Sequence, residues 1–249
     1  MARVFVNDTT LMDIADAIRE KNGSEDTYKP SQMADAVRGI QSGGGVNLFD
    51  YTTSLQSTFS RTIFDFENLE LEFGRKGVSI SNTNCFAYSF LNATGLKRVK
   101  VTTQLTSDVN VSYNQMFECV FEQASIEEIE LPILETIKPF TMNGTFRNQQ
   151  KLKKIIGEFD LSGLNALSGI SGLFFRCYAL EEVRFKPNTT YFSVTFGNSS
   201  NLSSESIQSI IDGLAIVDTA QTLTFHKDVK AKLTEEQIAT ITSKNWTLA

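Results

Sequence analysis

Few side chains of this sequence are of the kinds that do nucleophilic or metal chemistry, and their spacing favours neither. His226 is the only histidine, so a Ser-His-Asp or Cys-His arrangement would have to use it. Its neighbours "TFHKDV" indicate the end of a strand, and no Ser or Cys motif accompanies it. Cys85, Cys119 and Cys177 form an odd set without the spacing of a metal site, which predicts buried, reduced thiols.

Phosphate and glycan chemistry find no better support. The stretch "SGGG" lacks the Lys-Ser/Thr that a phosphate-binding loop needs. Carboxylates are plentiful, but they recur along repeated segments, and no pair of them stands out as the acid and base of a glycosidase. We therefore expect a protein that is not an enzyme and needs no cofactor or metal ion, and a glycan-cleaving enzyme is the last of three hypotheses.

The composition argues against several further classes of protein. The chain has 249 residues, of which 41% are hydrophobic, and this is enough for a sizeable core. Its net charge of -6 argues against a sequence-independent grip on nucleic acid, which needs a basic face. It has no apolar run of about 18 residues, so we expect no membrane insertion. The start "MARVFVNDTT" has no apolar stretch of the secretory type, so we expect no export signal.

A degenerate repeat dominates the middle of the chain. Its template, apolar-x-x-apolar-x-apolar, recurs about every 26–30 residues, which lies in the range of solenoid repeats. The copies are "FENLEL" (66–71), "LKRVKV" (96–101), "IEEIEL" (126–131), "LKKIIG" (152–157), "LEEVRF" (180–185) and an uncharged "AQTLTF" (220–225). Each copy predicts one strand laid parallel on the strand before it, with Val99 and Val101 on one face and Lys100 on the other.

A bulky apolar residue stands six positions before most copies of the template. These residues are Phe90, Val120, Phe146 and Phe174, and Phe196 before Leu202 continues the pattern. The chain has 19 Phe against one Trp. Because a single repeat cannot bury its apolar face alone, we expect these rings to form an internal ladder rather than a binding surface.

The charged positions of the template alternate in sign from copy to copy. The second column is Glu67, Lys97, Glu127, Lys153 and Glu181, the third is Asn68, Arg98, Glu128, Lys154 and Glu182, and the fifth is Glu70, Lys100, Glu130, Ile156 and Arg184. Adjacent strands lie about 4.8 Å apart, so opposite charges would meet along the stack. We expect this charge ladder to fix the order of the repeats, and a charged ligand-binding face is the alternative.

Both ends of the chain depart from the repeats, which occupy 47–202. Residues 1–40 predict a helical hairpin with two apolar stripes, followed by a flexible glycine-rich linker at 41–46. The stripes, which are candidate attachment residues, are Leu11, Ile14, Ile18, Met33, Val37 and Ile40. At 203–249 we expect a capping α/β unit, in which Ser203 begins a helix, Thr234 and Gln237 form a capping box, and "WTLA" is a short strand.

Three segments resemble known families. "TLMDIADAIREKNGSEDTYKPSQMADAVRGI", with its glycine joint and "NLFDYTTSLQSTF", is similar to the N-terminal module of tail, baseplate or fibre proteins of phages and prophages of Gram-positive bacteria. The repeats with their Phe anchors resemble the BspA-like leucine-rich repeat family, although they are longer and less regular. The ending "LSSESIQSIIDGL…TAQTLTFHKDVKAKLTEEQIATITSKNWTLA" resembles the C-terminal cap of phage-encoded repeat proteins.

The resemblance implies an α/β repeat fold, namely a right-handed leucine-rich-repeat-like solenoid with a parallel β-sheet. It implies a non-catalytic virion protein, assembled in the host cytoplasm and released by lysis. Its hairpin would bind other virion proteins and its solenoid a host cell-surface glycan or protein, with Tyr113, Tyr191 and Phe192 as candidate host-ligand residues. We expect a homo-oligomer, first of all a trimer, and no nucleic-acid partner. A capsid decoration or head fibre protein and a bacterial BspA-like surface adhesin are the alternatives.

Overall fold

The computed structural model describes residues 15–16, 55–73, 86–103, 117–136, 141–164, 170 and 172–249. The chain forms two compact units, Met1–Asn47 and Leu48–Ala249. In the first unit, the described residues Ala15 and Asp16 are helical, and Ala15 is buried.

The second unit contains the strands and helices that bear on function. Its strands are β1 (Asn68–Phe73), β2 (Arg98–Thr103), β3 (Glu128–Glu130), β4 (Lys154–Phe159), β5 (Glu182–Phe185), β6 (Val194–Phe196), β7 (Gln221–Phe225) and β8 (Trp246–Leu248). Its helices are α1 (Ile133–Thr136), α2 (Ser204–Gly213), α3 (Lys227–Lys230) and α4 (Glu235–Ser243).

The first five strands form one parallel sheet in the order of the sequence. Leu69, Val99, Ile129 and Ile155 lie in register across β1 to β4, and the last three of them are buried. Lys100 is more exposed than its two neighbours in β2, as the alternation of a strand requires. The prediction of an α/β chain with a parallel sheet is therefore confirmed.

The fourth strand departs from the predicted register. A bulge in β4 pairs Glu158 with Arg184, so the predicted pairing of Ile156 with Arg184 in the fifth column is wrong. Gly157 lies in this bulge with a φ of 129°, and a Cβ there would come within 3.0 Å of Leu131 O. Both the dihedral angle and the close approach favour glycine, which explains why this copy of the template lacks its last apolar residue.

Each of the strands β1 to β5 follows a segment of turns, and we call one such segment with the strand after it a coil. Phenylalanine rings stack on one another in a row inside these coils. The rings of Phe59, Phe90, Phe121, Phe146, Phe174, Phe196 and Phe225 form one continuous column, in which successive centroids lie 4.8–6.0 Å apart. The predicted internal ladder is thus confirmed, except that Phe121 rather than Val120 is its third member. The link from Phe121 to Ile126 is one residue shorter than that from Phe90 to Leu96, and this hid the correct alignment.

Around the buried rings the chain forms ribbons of consecutive turns, which the sequence analysis missed. The residues two before and two after each of the first five rings have positive φ: Ser57 and Arg61, Tyr88 and Asn92, Cys119 and Gln123, Gly144 and Asn148, and Gly172 and Arg176. Successive ribbons bond to each other, for example from Phe90 N to Val120 O (2.8 Å) and from Phe121 N to Thr145 O (2.9 Å). Eight of these ten residues are not glycine, so the left-handed positions have no signature in the sequence.

The C-terminal elements form as predicted from their capping residues. Ser203 caps α2 by accepting a hydrogen bond from Ser206 N, and Thr234 and Gln237 form the capping box of α4. The final "WTLA" provides β8, which completes a three-stranded parallel sheet of β6, β7 and β8. Local capping rules are therefore sufficient to locate both helices.

Helix α2 also closes the edge of the five-stranded sheet with serine hydroxyls. Ser206 Oγ accepts a hydrogen bond from Val183 N and donates one to Glu181 O, both at 3.0 Å. Ser209 Oγ accepts from Phe185 N at 2.9 Å. Because these hydroxyls occupy the backbone groups of β5, a further strand cannot pair there.

Candidate recognition surface

Two surfaces of the second unit carry side chains that could bind a ligand. One is the outer face of the five-stranded sheet, where the charge ladder lies. The other is the turn face, which we define as the turns at 56–62, 87–93, 118–124, 143–151, 172–179 and 197–201.

Ion pairs cross the sheet face between adjacent strands. They are Lys97–Glu67, Arg98–Glu128 (2.6 Å), Lys100–Glu130 (3.4 Å), Lys153–Glu127 (3.2 Å) and Lys154–Glu182 (2.8 Å). Hydrogen bonds to the paired glutamates raise the pKa values of Lys97 and Lys154. Among the described residues, the charged ladder members without an ion pair are Glu70, Glu181 and Arg184. The structure thus brings the ladder residues together in pairs of opposite sign.

The sheet face holds two grooves in which charges of both signs are mixed. One groove, of about 250 Å³, is lined by two of these ion pairs and by Glu70. The other, of about 470 Å³, lies between β4, β5 and the start of α2, and its charged residues are Lys154, Arg184, Glu182 and Glu205. Ser203 already caps the helix at this point. The second groove therefore presents no net charge to a ligand, and the first presents only the single negative charge of Glu70.

The turn face contains an ion pair whose carboxylate is largely buried and whose arginine side chain is 40% exposed. Arg147 Nε and Nη2 each lie 2.8 Å from a different carboxylate oxygen of Glu122, which is 8% exposed. The arginine lies against two glycines, since a Cβ on Gly144 would come 3.5 Å from Nε, and one on Gly172 would come 3.6 Å from Cδ. Two-pronged contacts of this kind are strong and geometrically specific, so this pair ties two successive coils together.

Two titratable groups next to this pair are held in their protonated forms. Burial, followed by a hydrogen bond with Glu118, raises the pKa of Tyr88 to about 12. Burial, followed by a hydrogen bond with Glu122, raises the pKa of the Cys119 thiol to about 12. Since the thiolate is the nucleophile, Cys119 is an unreactive thiol at neutral pH.

Two aromatic rings are exposed on the turn face. Phe175 is 42% exposed and Tyr178 is 45% exposed. The guanidinium carbon of Arg176 lies 5.1 Å from the centre of the Phe175 ring, which is a cation–π contact. The sequence analysis missed these residues, although the pair Phe174-Phe175 indicated that one of the two rings is exposed. Only Phe174 stands six residues before a template copy, so the ring of Phe175 has to point elsewhere.

The candidate host-ligand residues differ in their surroundings. Tyr191 is 41% exposed. Phe192 is partly buried and packs against the hydrophobic core, and its role in binding a sugar stays a prediction. Several candidates lie outside the described residues: Tyr113 and the attachment residues Leu11, Ile14, Ile18, Met33, Val37 and Ile40.

The histidine and the two described cysteines have structural rather than catalytic surroundings. His226 caps α3, where its Nδ1 accepts a hydrogen bond from Asp228 N at 3.3 Å. Cys119 and Cys177 are buried free thiols, as predicted, and Cys85 lies outside the described residues.

In the part of the chain that the structure describes, no helix has the length and apolar character needed to cross a bilayer. Comparison with protein-family models, with curated proteins and with solved structures gave no match in any of the three. The function is therefore argued from the residues of this chain.

Proposed function

We propose that the chain is a non-catalytic phage virion protein of the tail fibre, baseplate or receptor-binding kind. Its repeats form a right-handed leucine-rich-repeat-like solenoid of the BspA-like type, which displays a surface for the host cell. The hairpin at 1–40 binds other virion proteins, and the solenoid binds a host-surface glycan or protein. The protein acts in the virion as a homo-oligomer, with a trimer as the first expectation.

The observation that carries this proposal is that each coil bonds to the next on two sides. On one side the strands β1 to β5 pair in parallel, and on the other side the turn ribbons bond in the same sequential order. The stacked rings fill the space between them. Coils stacked in this way form a rigid surface with regularly spaced side chains, which suits recognition of an extended partner.

The use of charge on the sheet also supports a display role. Five Lys or Arg side chains of the sheet face lie against glutamates of an adjacent strand. Such exposed pairs contribute only about 0–1 kcal/mol each. A slipped register would bring like charges together, so their main effect is on the order of the repeats. The resemblance of both ends to phage-encoded proteins supplies the biological setting.

The test is to measure the binding of two labelled proteins, the full chain and a fragment that starts at Val46, to a panel of Gram-positive cells. The fragment keeps the compact unit Leu48–Ala249 intact. We expect both proteins to bind the same cells saturably and with similar affinity. If only the full chain binds, recognition lies in the hairpin rather than in the repeats. If neither protein binds any host, the recognition role is wrong, and a capsid decoration role replaces it.

A further inference from the structure

One part of the turn face differs from the rest of the protein in its charge. The turns at 143–151, 172–179 and 197–201 contain Arg147, Lys151 and Arg176 but no Asp or Glu, although the chain as a whole carries a net charge of -6. The partner of Arg147 is Glu122 on the preceding coil. Among the described residues, Lys151 and Arg176 form no ion pair. Lys151 and Arg176 therefore offer positive charge that no carboxylate of these three turns neutralises.

Exposed aromatic rings lie among these cations. Phe175 and Tyr178 flank Arg176 in the sequence, and both rings are more than 40% exposed. We call Arg147, Lys151, Phe175, Arg176 and Tyr178 the aromatic–basic patch. Large exposed rings next to unpaired cations are unusual where packing alone decides the sequence, and they are typical of binding sites.

A small residue follows the patch on the next coil. The position that corresponds in sequence to Phe175 is Gly197, which directly follows the stacked ring of Phe196. A Cβ on Gly197 would meet only Thr195 Oγ1 at 3.4 Å and Thr224 Cγ2 at 3.5 Å, both at ordinary contact distances. Crowding therefore does not require glycine here, and its neighbour Asn198 accepts a hydrogen bond from Arg176 N, so a side chain added at this position would lie close to the patch.

The surroundings of the patch are rich in amides and hydroxyls. The side chains Asn148, Gln150, Asn198, Ser200 and Asn201 lie in the same three turns. Arg176 N donates a hydrogen bond to Asn198 Oδ1 at 3.1 Å, so the amides of the next coil reach this turn. A protein partner would need a contiguous apolar centre within a patch of about 800 Å², whereas two separated rings among amides match a hydroxyl-rich polymer.

We propose that the aromatic–basic patch binds an acidic polysaccharide. A sugar ring lies on the exposed ring of Phe175, the guanidinium of Arg176 and the ammonium of Lys151 bind the anionic groups of the polymer, and the amides bind its hydroxyls. Carboxylate and phosphate groups share this chemistry. The inference rests on the proposed host recognition and names the kind of ligand that the solenoid binds.

The experiment uses the full chain and affinity electrophoresis in gels that contain polygalacturonate, a poly(glycerol phosphate) or neutral dextran. We expect retardation by an acidic polymer, weakened by salt, and none by dextran. The carboxylate and phosphate gels identify which anionic group is preferred. Equal retardation by dextran, or no retardation by either acidic polymer, overturns the inference.

A pair of variants of equal size separates charge from shape. Gly197→Gln and Gly197→Glu both add bulk next to Asn198, whose side chain contacts the Arg176 turn, but only the second adds a negative charge. We expect each to weaken binding, and Gly197→Glu to weaken it about fivefold more, since one exposed charge pair corresponds to up to about 1 kcal/mol. Phe175→Ala should also weaken binding about fivefold. Phe66→Ala, which removes a ring that is 46% exposed and lies outside the patch, is the matched control and should leave binding unchanged.

The same variants distinguish this inference from the proposed function. If the full chain binds host cells and the Gly197 and Phe175 variants bind them equally well, the assignment of polysaccharide binding to the patch is wrong and the virion role stands. If the patch variants lose binding to the acidic polymer while the full chain binds no host cell, the assignment to the patch is right and host recognition is wrong. Loss of binding in Phe66→Ala alone would move the site away from the patch.

Discussion

The adjacent residues Phe174 and Phe175 provide a sharp test of how the ring column stabilises the fold. Phe174 is 1% exposed, and its ring stacks on Phe146 at 5.8 Å and on Phe196 at 4.8 Å. Phe174→Ala should lower the free energy of unfolding by about 3–5 kcal/mol, as usual for a buried aromatic residue. Phe175→Ala removes the same atoms from a ring that is 42% exposed, and it should cost no more than about 1 kcal/mol.

A third variant isolates the stacking itself. Phe174→Leu keeps most of the buried apolar volume but removes four ring–ring contacts, two of them stacked. Aromatic pairs contribute about 0.5–1.5 kcal/mol each beyond their buried area, but pairs that share one ring do not simply add, so this variant should lose about 1–3 kcal/mol. The order of stability should therefore be wild type, Phe175→Ala, Phe174→Leu and Phe174→Ala.

The assay is urea unfolding followed by two probes. Far-UV circular dichroism reports on the whole chain, and fluorescence reports on Trp246, the only tryptophan, whose Nε1 donates to Ala215 O at 2.8 Å. The two transitions coincide if the coils unfold together, and they separate if the coils unfold in sequence. Equal destabilisation by Phe174→Ala and Phe175→Ala would refute the reasoning, because it would place both rings in the same environment.

Three further predictions concern other contacts of the second unit. Ser206→Ala leaves Val183 N without its hydrogen bond and should lower the free energy of unfolding in urea by about 1–3 kcal/mol. Ser204 is exposed, so Ser204→Ala should leave that free energy almost unchanged. Similar losses in the two variants would contradict the edge-closing role. A double-mutant cycle of Arg98→Ala and Glu128→Ala should give a coupling energy of about 0–1 kcal/mol that falls with salt, and a salt-independent value would argue against an exposed pair. The pKa of Cys119 is raised from 9.0 to about 12, so its contribution to stability is present below pH 9 and is lost as the pH rises towards 12. Peptide mapping after treatment with iodoacetamide at pH 8.5 should accordingly find this thiol unmodified until urea is added, and rapid native alkylation would show that it is not protected.

The features that the sequence predicted depend on local patterns. The template places an apolar residue at alternate strand positions, so it located β1 to β5 and their common buried face. Ser203 and Thr234 act within one helical turn of their own positions, so the C-terminal helices were also predictable.

The features that the sequence did not predict depend on contacts between coils. The turn ribbons place residues such as Tyr88 and Gln123 at positive φ because hydrogen bonds to the next ribbon impose it, and no residue type announces this. The bulge at Gly157 is set by the approach of Leu131 O from the neighbouring strand. The exposed ring of Phe175 was not singled out, although the six-residue spacing selects Phe174 as the ring that enters the column.

The most direct test of the account is a competition measurement on host cells. The labelled full chain is bound to a panel of Gram-positive cells, and the unlabelled fragment that starts at Val46 is added in increasing excess. We expect saturable binding to at least one host and complete displacement by the fragment, because recognition is assigned to the unit Leu48–Ala249. Binding that the fragment cannot displace, or no saturable binding to any host, would contradict the assignment of host recognition to the repeats.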